Sequence, residues 1–269
     1  MRRVLLAALL GLAAAAGLLT VVLVDHQRAS RASPQSPTPV AQPPLTARPH
    51  VLHVPACGVG SVRLDPSRAA HAVTVRTSAT AFRSPGGQAF ARFGRVNVNG
   101  VPTVFSVLSA TLDRRCRASW YRVQLPMRPN GVTGWVRASA VSERALHVRI
   151  VVDLSERRVT LYRDAAPVFV TTAAIGSPST PTPTGRYYVN QKLLPSDPLG
   201  PFGPAAIGIS AFSPVLQHWA QGGPIAIHGT NQAELLGSAV SHGCIRVSND
   251  VVERLWKLVP TGTPVLIRM

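Results

Sequence analysis

Residues 227–247, with the sequence IHGTNQAELLGSAVSHGCIRV, constrain the fold of this chain more than any other stretch. They hold three groups that take part in chemistry near neutral pH: His228, His242 and Cys244. A thiol becomes a strong nucleophile only as the thiolate, and a nearby imidazole can accept its proton. His228 lies too far before Cys244 for a single helix turn or strand to bring the two together. The fold must therefore place the element that carries His228 beside Cys244.

Two further residues of this stretch suit the same chemistry. If the backbone around Cys244 is extended, His242 and Arg246 project from the same face as the thiol. Arg246 can then pair with a carboxylate of a substrate. No acidic residue stands beside His228 to orient its ring, so we predict that a backbone carbonyl near Gly229 does so.

Structural roles are the alternative for the same residues. Cys244 would then be a buried core cysteine, His228 a core histidine and Arg246 one half of a surface ion pair. His228, His242 and Cys244 are also ligand types that bind zinc. The sequence offers no fourth ligand and no C-x-x-C pair, so we predict no metal and no other cofactor.

The N-terminal segment predicts a membrane anchor. Residues 4–24 carry no charge, and a helix of this length, at about 1.5 Å per residue, spans about 31 Å, the thickness of a bilayer core. We therefore predict a single-pass signal anchor at residues 1–28, with a cleaved signal peptide as the alternative. Residues 29–55 are rich in proline and poor in apolar residues, which indicates an extended linker. Either way, the rest of the chain is expected outside the cytoplasm.

The net charge of +17 comes almost entirely from arginine. A strongly basic chain can bind nucleic acid, an anionic membrane or another anionic polymer. The alternative is a genome rich in G and C, because arginine, alanine, glycine and proline are all abundant. The arginines are dispersed and form no nucleic-acid-binding motif, so we predict no nucleic-acid partner.

Residues 56–143 show short strands separated by turns, and a small β domain is predicted. Asn99-Gly100 is a hairpin signal. Residues 129–131, Pro-Asn-Gly, form a turn between two strands that carry Trp120 and Trp135. This hairpin resembles the end of a bacterial SH3-like domain, a small β barrel. An unrelated small β domain is the alternative.

The cysteine count supports a division of roles. Cys57 and Cys116 both fall in the predicted β domain, and two cysteines in one extracytoplasmic domain tend to pair. That pairing would leave Cys244 as a free thiol.

A second β-rich unit is predicted from residue 146 to residue 269. Its first strands are expected at about residues 147–152, 158–163 and 167–174. Residues 191–213 form a long Gly/Pro-rich segment, and loops of this length inside a compact domain are often lids. A short buried strand is predicted to end at His228.

One helix is expected in this unit. Residues 249–259 carry an apolar stripe at helical spacing, and Asp250 with Glu253 fits a capping box. Pro260 and Gly262 end the helix, and residues 264–267 form a closing strand.

The quoted motifs resemble those of one known family. His228-Gly-Thr, Leu236-Gly and Ser241-His-Gly-Cys-Ile-Arg are similar to the signature of the L,D-transpeptidase catalytic domain, also called the YkuD domain. The hairpin that begins at Asp153 and the segment T-P-T-G-R-Y from Thr182 fit the same family. The resemblance implies a mainly β, sandwich-like catalytic domain with a short C-terminal helix, over residues 146–269.

The resemblance also implies an activity. Cys244 would form a thioester with a peptidoglycan stem tetrapeptide, with release of D-alanine, and an amine would then take the acyl group to give a 3→3 cross-link. His228 would be the base. Backbone N–H groups around Gly243 and Cys244 would form the oxyanion hole, to which His242, Ser241, Gly229 and Arg246 are assigned as oxyanion or substrate residues. Water as the acceptor would make the enzyme an L,D-carboxypeptidase.

A binding function is the alternative from a different class. The β domain would then bind peptidoglycan, and the C-terminal domain would be an inert scaffold. The intact His228 and Cys244 favour the enzyme. With the anchor, the enzyme is expected at the extracytoplasmic face of the cytoplasmic membrane, or secreted to the wall if the segment is cleaved; the sequence predicts no oligomeric state.

Overall fold

The computed structural model describes the backbone of residues 61–63 and all atoms of residues 69–269. The predicted anchor at residues 1–28, the linker at 29–55 and Cys57 lie outside the described residues. Within the described part of the chain, no helix has the length and apolar character needed to cross a membrane.

The first β-sheet is built from eight strands that precede residue 147. They are β1 (Ser61–Arg63), β2 (Ala70–Val75), β3 (Ser78–Phe82), β4 (Ala89–Gly94), β5 (Val104–Leu112), β6 (Ala118–Gln124), β7 (Thr133–Arg137) and β8 (Val141–Leu146). Their order is β4-β3-β7-β6-β5-β2-β8, with β1 paired to β5. The predicted hairpin is present, because β6 and β7 pair antiparallel with Trp120 opposite Arg137. The assignment of this region as SH3-like stays a prediction.

A second eight-stranded sheet and one helix form the C-terminal region. The sheet runs β11-β10-β9-β18-β13-β14-β15-β17, and β12 pairs with β16 in a separate two-stranded sheet. These elements are β9 (Val148–Asp153), β10 (Arg158–Arg163), β11 (Ala166–Thr172), β12 (Ile175–Gly176), β13 (Gly185–Leu193), β14 (Ala206–Phe212), β15 (Pro224–His228), β16 (Ala239–Ser241), β17 (Ile245–Arg246), α1 (Asn249–Leu258) and β18 (Pro264–Arg268). Short 3-10 turns lie at Ala138–Ala140, Ala220–Gly222 and Ala233–Leu235. The prediction of a mainly β fold with a short C-terminal helix is confirmed.

Alternating burial along the strands explains the core of this region. Ile150 and Val152 of β9 and Leu161 of β10 are fully buried, and their neighbours along each strand are less buried. The buried face of α1, which includes Val252 and Leu255, packs into the same cluster. Burying one such aliphatic side chain stabilises the fold by about 1.5–3 kcal/mol.

Two local predictions are wrong. Residues 191–213 are not one loop, because β13 continues to Leu193 and β14 occupies Ala206–Phe212. Along β14 the apolar side chains are interrupted by glycine and serine, which obscured a strand that is buried on both faces. The helix cap also differs from the predicted capping box: Ser248, in an extended conformation, is the N-cap of α1.

The turn at Asn99-Gly100 closes on itself without joining two long paired strands. The Asn97 N–H donates to the Val101 carbonyl, and Val96 forms an isolated bridge with Pro102. Beyond this bridge β4 and β5 separate, because β4 pairs with β3 and β5 pairs with β6.

The two sheets make direct contact. The Tyr188 hydroxyl of β13 donates to the Val104 carbonyl of β5 at 3.1 Å, and Tyr188 is fully buried. Gln124 Nε2 of β6 donates to the Arg186 carbonyl at 2.9 Å. These contacts join the first sheet to β13, a central strand of the second sheet.

Candidate active site

Strands β15 and β17 bring His228 and Cys244 to the same face of the second sheet. The two strands pair in parallel, with Ile227 beside Ile245 and His228 beside Arg246. Ile227 and Ile245 are fully buried and face the core. Because successive side chains of a strand alternate between faces, His228 projects from the opposite face, and Cys244, which directly precedes β17, is expected to project there too. With strands about 4.8 Å apart and a two-residue offset of about 6.6 Å, their Cα atoms lie about 8 Å apart, which two side chains can span.

A backbone hydrogen bond holds the His228 imidazole in one tautomer. His228 Nδ1 donates to the Gly229 carbonyl at 2.6 Å, as the sequence predicted. Because a carbonyl oxygen only accepts, Nδ1 carries the proton and Nε2 of the neutral ring is left as an acceptor. His228 is therefore arranged to take a proton at Nε2.

The backbone around Gly229 is packed tightly against a neighbouring loop. A Cβ at Gly203 would lie 2.7 Å from the Gly229 Cα, and a Cβ at Gly229 would lie 2.3 Å from Asn249 Oδ1. Asn249 Oδ1 also accepts the Thr230 N–H at 2.8 Å. The carbonyl that orients His228 is therefore held by α1 on one side and by residues 194–205 on the other.

Burial lowers the pKa of His228 to about 4, and the nearby positive charge of Arg246 adds to this effect. The hydrogen bond to Gly229 opposes the shift without cancelling it. His228 is only 3% exposed, and the Phe202 ring makes an edge-to-face contact with its imidazole at 5.0 Å between centroids. Above about pH 4 the imidazole is consequently neutral and can accept a proton.

Replacing Phe202 by alanine is expected to raise the pKa of His228 by about one unit, because water would then reach the ring and stabilise the imidazolium. NMR titration of the His228 Cε1–H signal measures this directly. Leu199→Ala changes an exposed apolar residue of the same loop and serves as the matched control. A His228 pKa unchanged in Phe202→Ala would show that the aromatic ring does not desolvate the imidazole.

Cys244 is a free, half-buried thiol. Burial raises its pKa, whereas a backbone hydrogen bond with Ala226 and the charge of Arg246 act in the opposite direction. The resting pair is thus a neutral thiol beside a neutral imidazole. Such a thiol needs a base to reach the thiolate during reaction.

The chain bends immediately before Cys244. Residues 242–243 form a bend, and Gly243 has a φ of +113°, which excludes a continuous strand from His242 to Cys244. The expectation that an extended backbone places His242 and Cys244 on one face is therefore wrong. The His242 side chain is exposed and contacts the Trp219 ring, with 5.3 Å between ring centroids.

The Ser241 side chain stabilises the bend at residues 242–243 through two hydrogen bonds. Its Oγ accepts the Gly243 N–H at 3.1 Å and donates to the Cys244 carbonyl at 2.6 Å. The Gly243 N–H is therefore already used within the bend. This leaves the Cys244 N–H as the better candidate of the two predicted oxyanion donors.

Two threonines, Thr180 and Thr182, also stabilise the bend, and sequence analysis did not assign either of them to the site. The buried Thr182 Oγ1 accepts the Gly176 N–H at 2.8 Å and donates to the Gly243 carbonyl at 2.9 Å. Thr180 Oγ1 donates to the Ser241 carbonyl at 3.0 Å. The T-P-T-P-T-G segment was a signal for these contacts, but nothing in the sequence indicated that they reach the Cys244 bend.

Replacing Thr182 by valine is expected to lower the free energy of unfolding by about 2–6 kcal/mol. The substitution keeps the shape but leaves a buried N–H and a buried carbonyl without a partner, at about 1–3 kcal/mol each. Urea denaturation measures the effect, with the exposed Thr184→Val as the control. Equal stabilities for the two variants would contradict a bracing role for the Thr182 hydroxyl.

Arg246 lies beside His228, and part of its guanidinium forms no hydrogen bond with the described residues. Its Nη1 donates to Gln232 Oε1 at 3.2 Å, and its backbone pairs with Ala174. Its Nε is buried and has no partner among the described residues. The surface ion pair, the structural alternative for Arg246, is absent from the described part of the chain, in which no carboxylate lies within salt-bridge distance of Arg246.

Cys116 is disulfide-bonded, whereas Cys57, its predicted partner, lies outside the described residues. Among residues 69–269, no three His, Cys, Asp or Glu side chains are grouped as metal ligands.

A thiol and a neutral, oriented imidazole on one face of a β-sheet define a site for cysteine nucleophilic chemistry. Residues 147–267 match the family model of the L,D-transpeptidase catalytic domain, YkuD. A curated relative, "Putative L,D-transpeptidase YkuD" of Bacillus subtilis (strain 168), is 36% identical over 118 residues, which are 44% of this chain and 64% of the relative. The chain thus matches less than two thirds of that relative's length.

Solved structures with the same family name are also similar. The catalytic domain of an Enterococcus faecium L,D-transpeptidase, determined by NMR, has 28% identity and a TM-score of 0.34, covering 45% of this chain and 96% of that chain. An L,D-transpeptidase from Mycobacterium smegmatis has 19% identity and a TM-score of 0.38, covering 62% of this chain and 90% of that chain.

Proposed function

We propose that this protein is a peptidoglycan L,D-transpeptidase with Cys244 as the nucleophile. The observation that carries the proposal is the hydrogen bond from His228 Nδ1 to the Gly229 carbonyl, which leaves Nε2 as an acceptor on the same sheet face as the thiol. The match of residues 147–267 to the L,D-transpeptidase family model supports the substrate class.

The first half-reaction is acylation of Cys244. His228 Nε2 takes the thiol proton as sulfur attacks the carbonyl of the third residue of a stem tetrapeptide. The Cys244 N–H stabilises the tetrahedral oxyanion, since donors aimed at developing charge contribute most when water is excluded. The imidazolium then returns its proton to the leaving amine, and D-alanine departs.

The second half-reaction transfers the acyl group. A side-chain amine of another stem attacks the thioester carbonyl, and His228 removes the amine's proton. Collapse of the second tetrahedral intermediate forms the 3→3 amide and releases the Cys244 thiolate, which regains its proton from His228. Arg246 would hold a carboxylate of the substrate through donors that no described residue uses, and its charge also favours the thiolate.

Product analysis tests the proposal. The full chain, purified in detergent, is incubated with a stem tetrapeptide, and the products are separated and weighed by mass spectrometry. A 3→3 dimer that accumulates with release of D-alanine is the expected result. Tripeptide alone would instead assign an L,D-carboxypeptidase, and no product from folded protein would favour the inert, peptidoglycan-binding scaffold.

We further propose that the protein acts at the cell envelope, where residues 1–28 hold it at the extracytoplasmic face of the membrane. The uncharged run at residues 4–24 supports this location, and the net charge of +17 suits an anionic wall. Cell fractionation followed by mass analysis of the N-terminus separates an intact anchor from a cleaved, secreted form.

A further inference from the structure

The loop at residues 213–223, here called the rim loop, connects β14 to β15 and reaches the Cys244 bend. Its Trp219 is 52% exposed and contacts the exposed His242 ring, two residues before Cys244. The loop is compact, because its ends are joined by a hydrogen bond from the Ser213 N–H to the Gly223 carbonyl at 2.8 Å. Trp219 thus forms part of the solvent-facing edge beside the nucleophile.

The backbone of the rim loop is strained near its end. Gln221, Gly222 and Gly223 have φ values of +57°, +79° and +68°. A non-glycine residue in this left-handed region costs of order 1–2 kcal/mol, so contacts from elsewhere must hold this conformation.

Arg128 of the first sheet region supplies those contacts. Its Nε and Nη2 donate to the Gly222 carbonyl at 3.1 and 2.5 Å, and Nη2 also donates to the Ser213 carbonyl at 2.6 Å. The guanidinium therefore forms hydrogen bonds with both ends of the rim loop. A planar fork of donors suits this task, whereas a lysine ammonium would act from a single point.

The amide side chains of Asn130 and Asn99 add further hydrogen bonds between the N-terminal β domain and this part of the catalytic domain. Asn130 exchanges two hydrogen bonds with the Phe212 backbone, at 2.8 and 2.9 Å. Asn99 and Gln221 exchange two more, at 3.3 and 2.8 Å. Asn99, Arg128 and Asn130 lie in or beside two turns of the N-terminal β domain. Their partners in the catalytic domain lie where the rim loop begins and ends.

We propose that the N-terminal β domain sets the position of Trp219 at the mouth of the active site, and that Arg128 is the positioning residue. Arg128 does not touch the reacting atoms and acts through the rim loop. Its loss would therefore weaken the binding of the peptide to be acylated while leaving the chemistry of Cys244 and His228 intact. The inference rests on the proposed function, because it concerns the same acylation.

Single-turnover acylation of Cys244 by a stem tetrapeptide, followed by intact mass, tests the proposal on the full chain. It yields a half-saturation concentration and a limiting rate. Arg128→Gln is expected to raise the half-saturation concentration about tenfold, the effect of losing one charged hydrogen-bond group, with a limiting rate within about twofold of wild type. Arg114→Gln, an exposed arginine of the same domain, is the matched control.

Trp219→Ala identifies the route of the effect. If Arg128 acts through Trp219, the double variant is expected to bind the peptide no more weakly than the weaker-binding of the two single variants, since the two changes remove one interaction. Arg128→Lys, which retains the charge without the fork, is expected to lie between wild type and Arg128→Gln. Should Arg128→Gln fail to fold, Gln221→Ala, at an exposed position, removes the hydrogen bonds between Gln221 and Asn99. It is expected to raise the half-saturation concentration by a smaller factor.

Three results would overturn the inference. They are an unchanged half-saturation concentration in folded Arg128→Gln, a loss confined to the limiting rate, and additive effects of Arg128→Gln and Trp219→Ala. Absence of acylation in the wild type would instead count against the proposed function, so the two failures are distinguishable.

Discussion

Replacing His228 by glutamine is expected to slow acylation of Cys244 by about 10²–10⁴-fold, the usual contribution of a positioned base. The reason lies in the resting state of the pair. Burial raises the pKa of the Cys244 thiol, so the thiolate is scarce at neutral pH unless Nε2 of His228 accepts the proton. Glutamine keeps the size and the donor that can face Gly229 but cannot take a proton.

The pH dependence separates loss of the base from loss of structure. In His228→Gln the acylation rate should rise with pH as the thiol ionises unaided, whereas the wild-type rate should fall only below about pH 4, where the imidazole becomes protonated. The exposed His147→Gln is the control. A rate within threefold of wild type for His228→Gln would show that another group is the base.

Replacing Gly243 by alanine is expected to slow acylation by at least about 100-fold and to destabilise the fold by about 1–3 kcal/mol. Two physical effects combine at this position. A φ of +113° is unfavourable for any residue with a Cβ, and the added Cβ would lie 2.9 Å from Ile225 Cδ1. Relief of either effect would turn the backbone that presents the Cys244 thiol and its N–H.

Two further variants separate strain from steric overlap. Ile225→Val in the Gly243→Ala background shortens the side chain that would be struck, so partial recovery of the acylation rate is expected. Gly86→Ala, at a φ of +73° with no atom within 4 Å of the added Cβ, carries backbone strain alone. Gly86→Ala should therefore have a lower free energy of unfolding in urea and an unchanged acylation rate. Full activity in Gly243→Ala would mean that the bend does not need its observed conformation.

The strands and the chemical groups at the centre of the site were predictable because their signals are local. The apolar run before His228 predicted the end of β15, and the stripe at residues 249–259 predicted α1 to within one residue. The absence of an acidic neighbour of His228 predicted the bond to the Gly229 carbonyl. Each of these inferences needs only a few adjacent residues.

The surroundings of the site were not predictable from local pattern. Thr182 and Phe202 reach the site, and Arg128 reaches the rim loop, from distant segments, so no spacing in the sequence relates them to Cys244. The bend at Gly243 was expected as a strand because a glycine's φ is not encoded by its neighbours alone. Register and loop packing, which decide these contacts, depend on the assembled sheets.

Intact-mass spectrometry of the full chain with a stem tetrapeptide tests the central claim most directly. We expect an acyl adduct on the wild type that maps to Cys244, accompanied by released D-alanine, and no adduct on Cys244→Ala. An adduct of equal yield on Cys244→Ala, or none on folded wild-type protein, would contradict it.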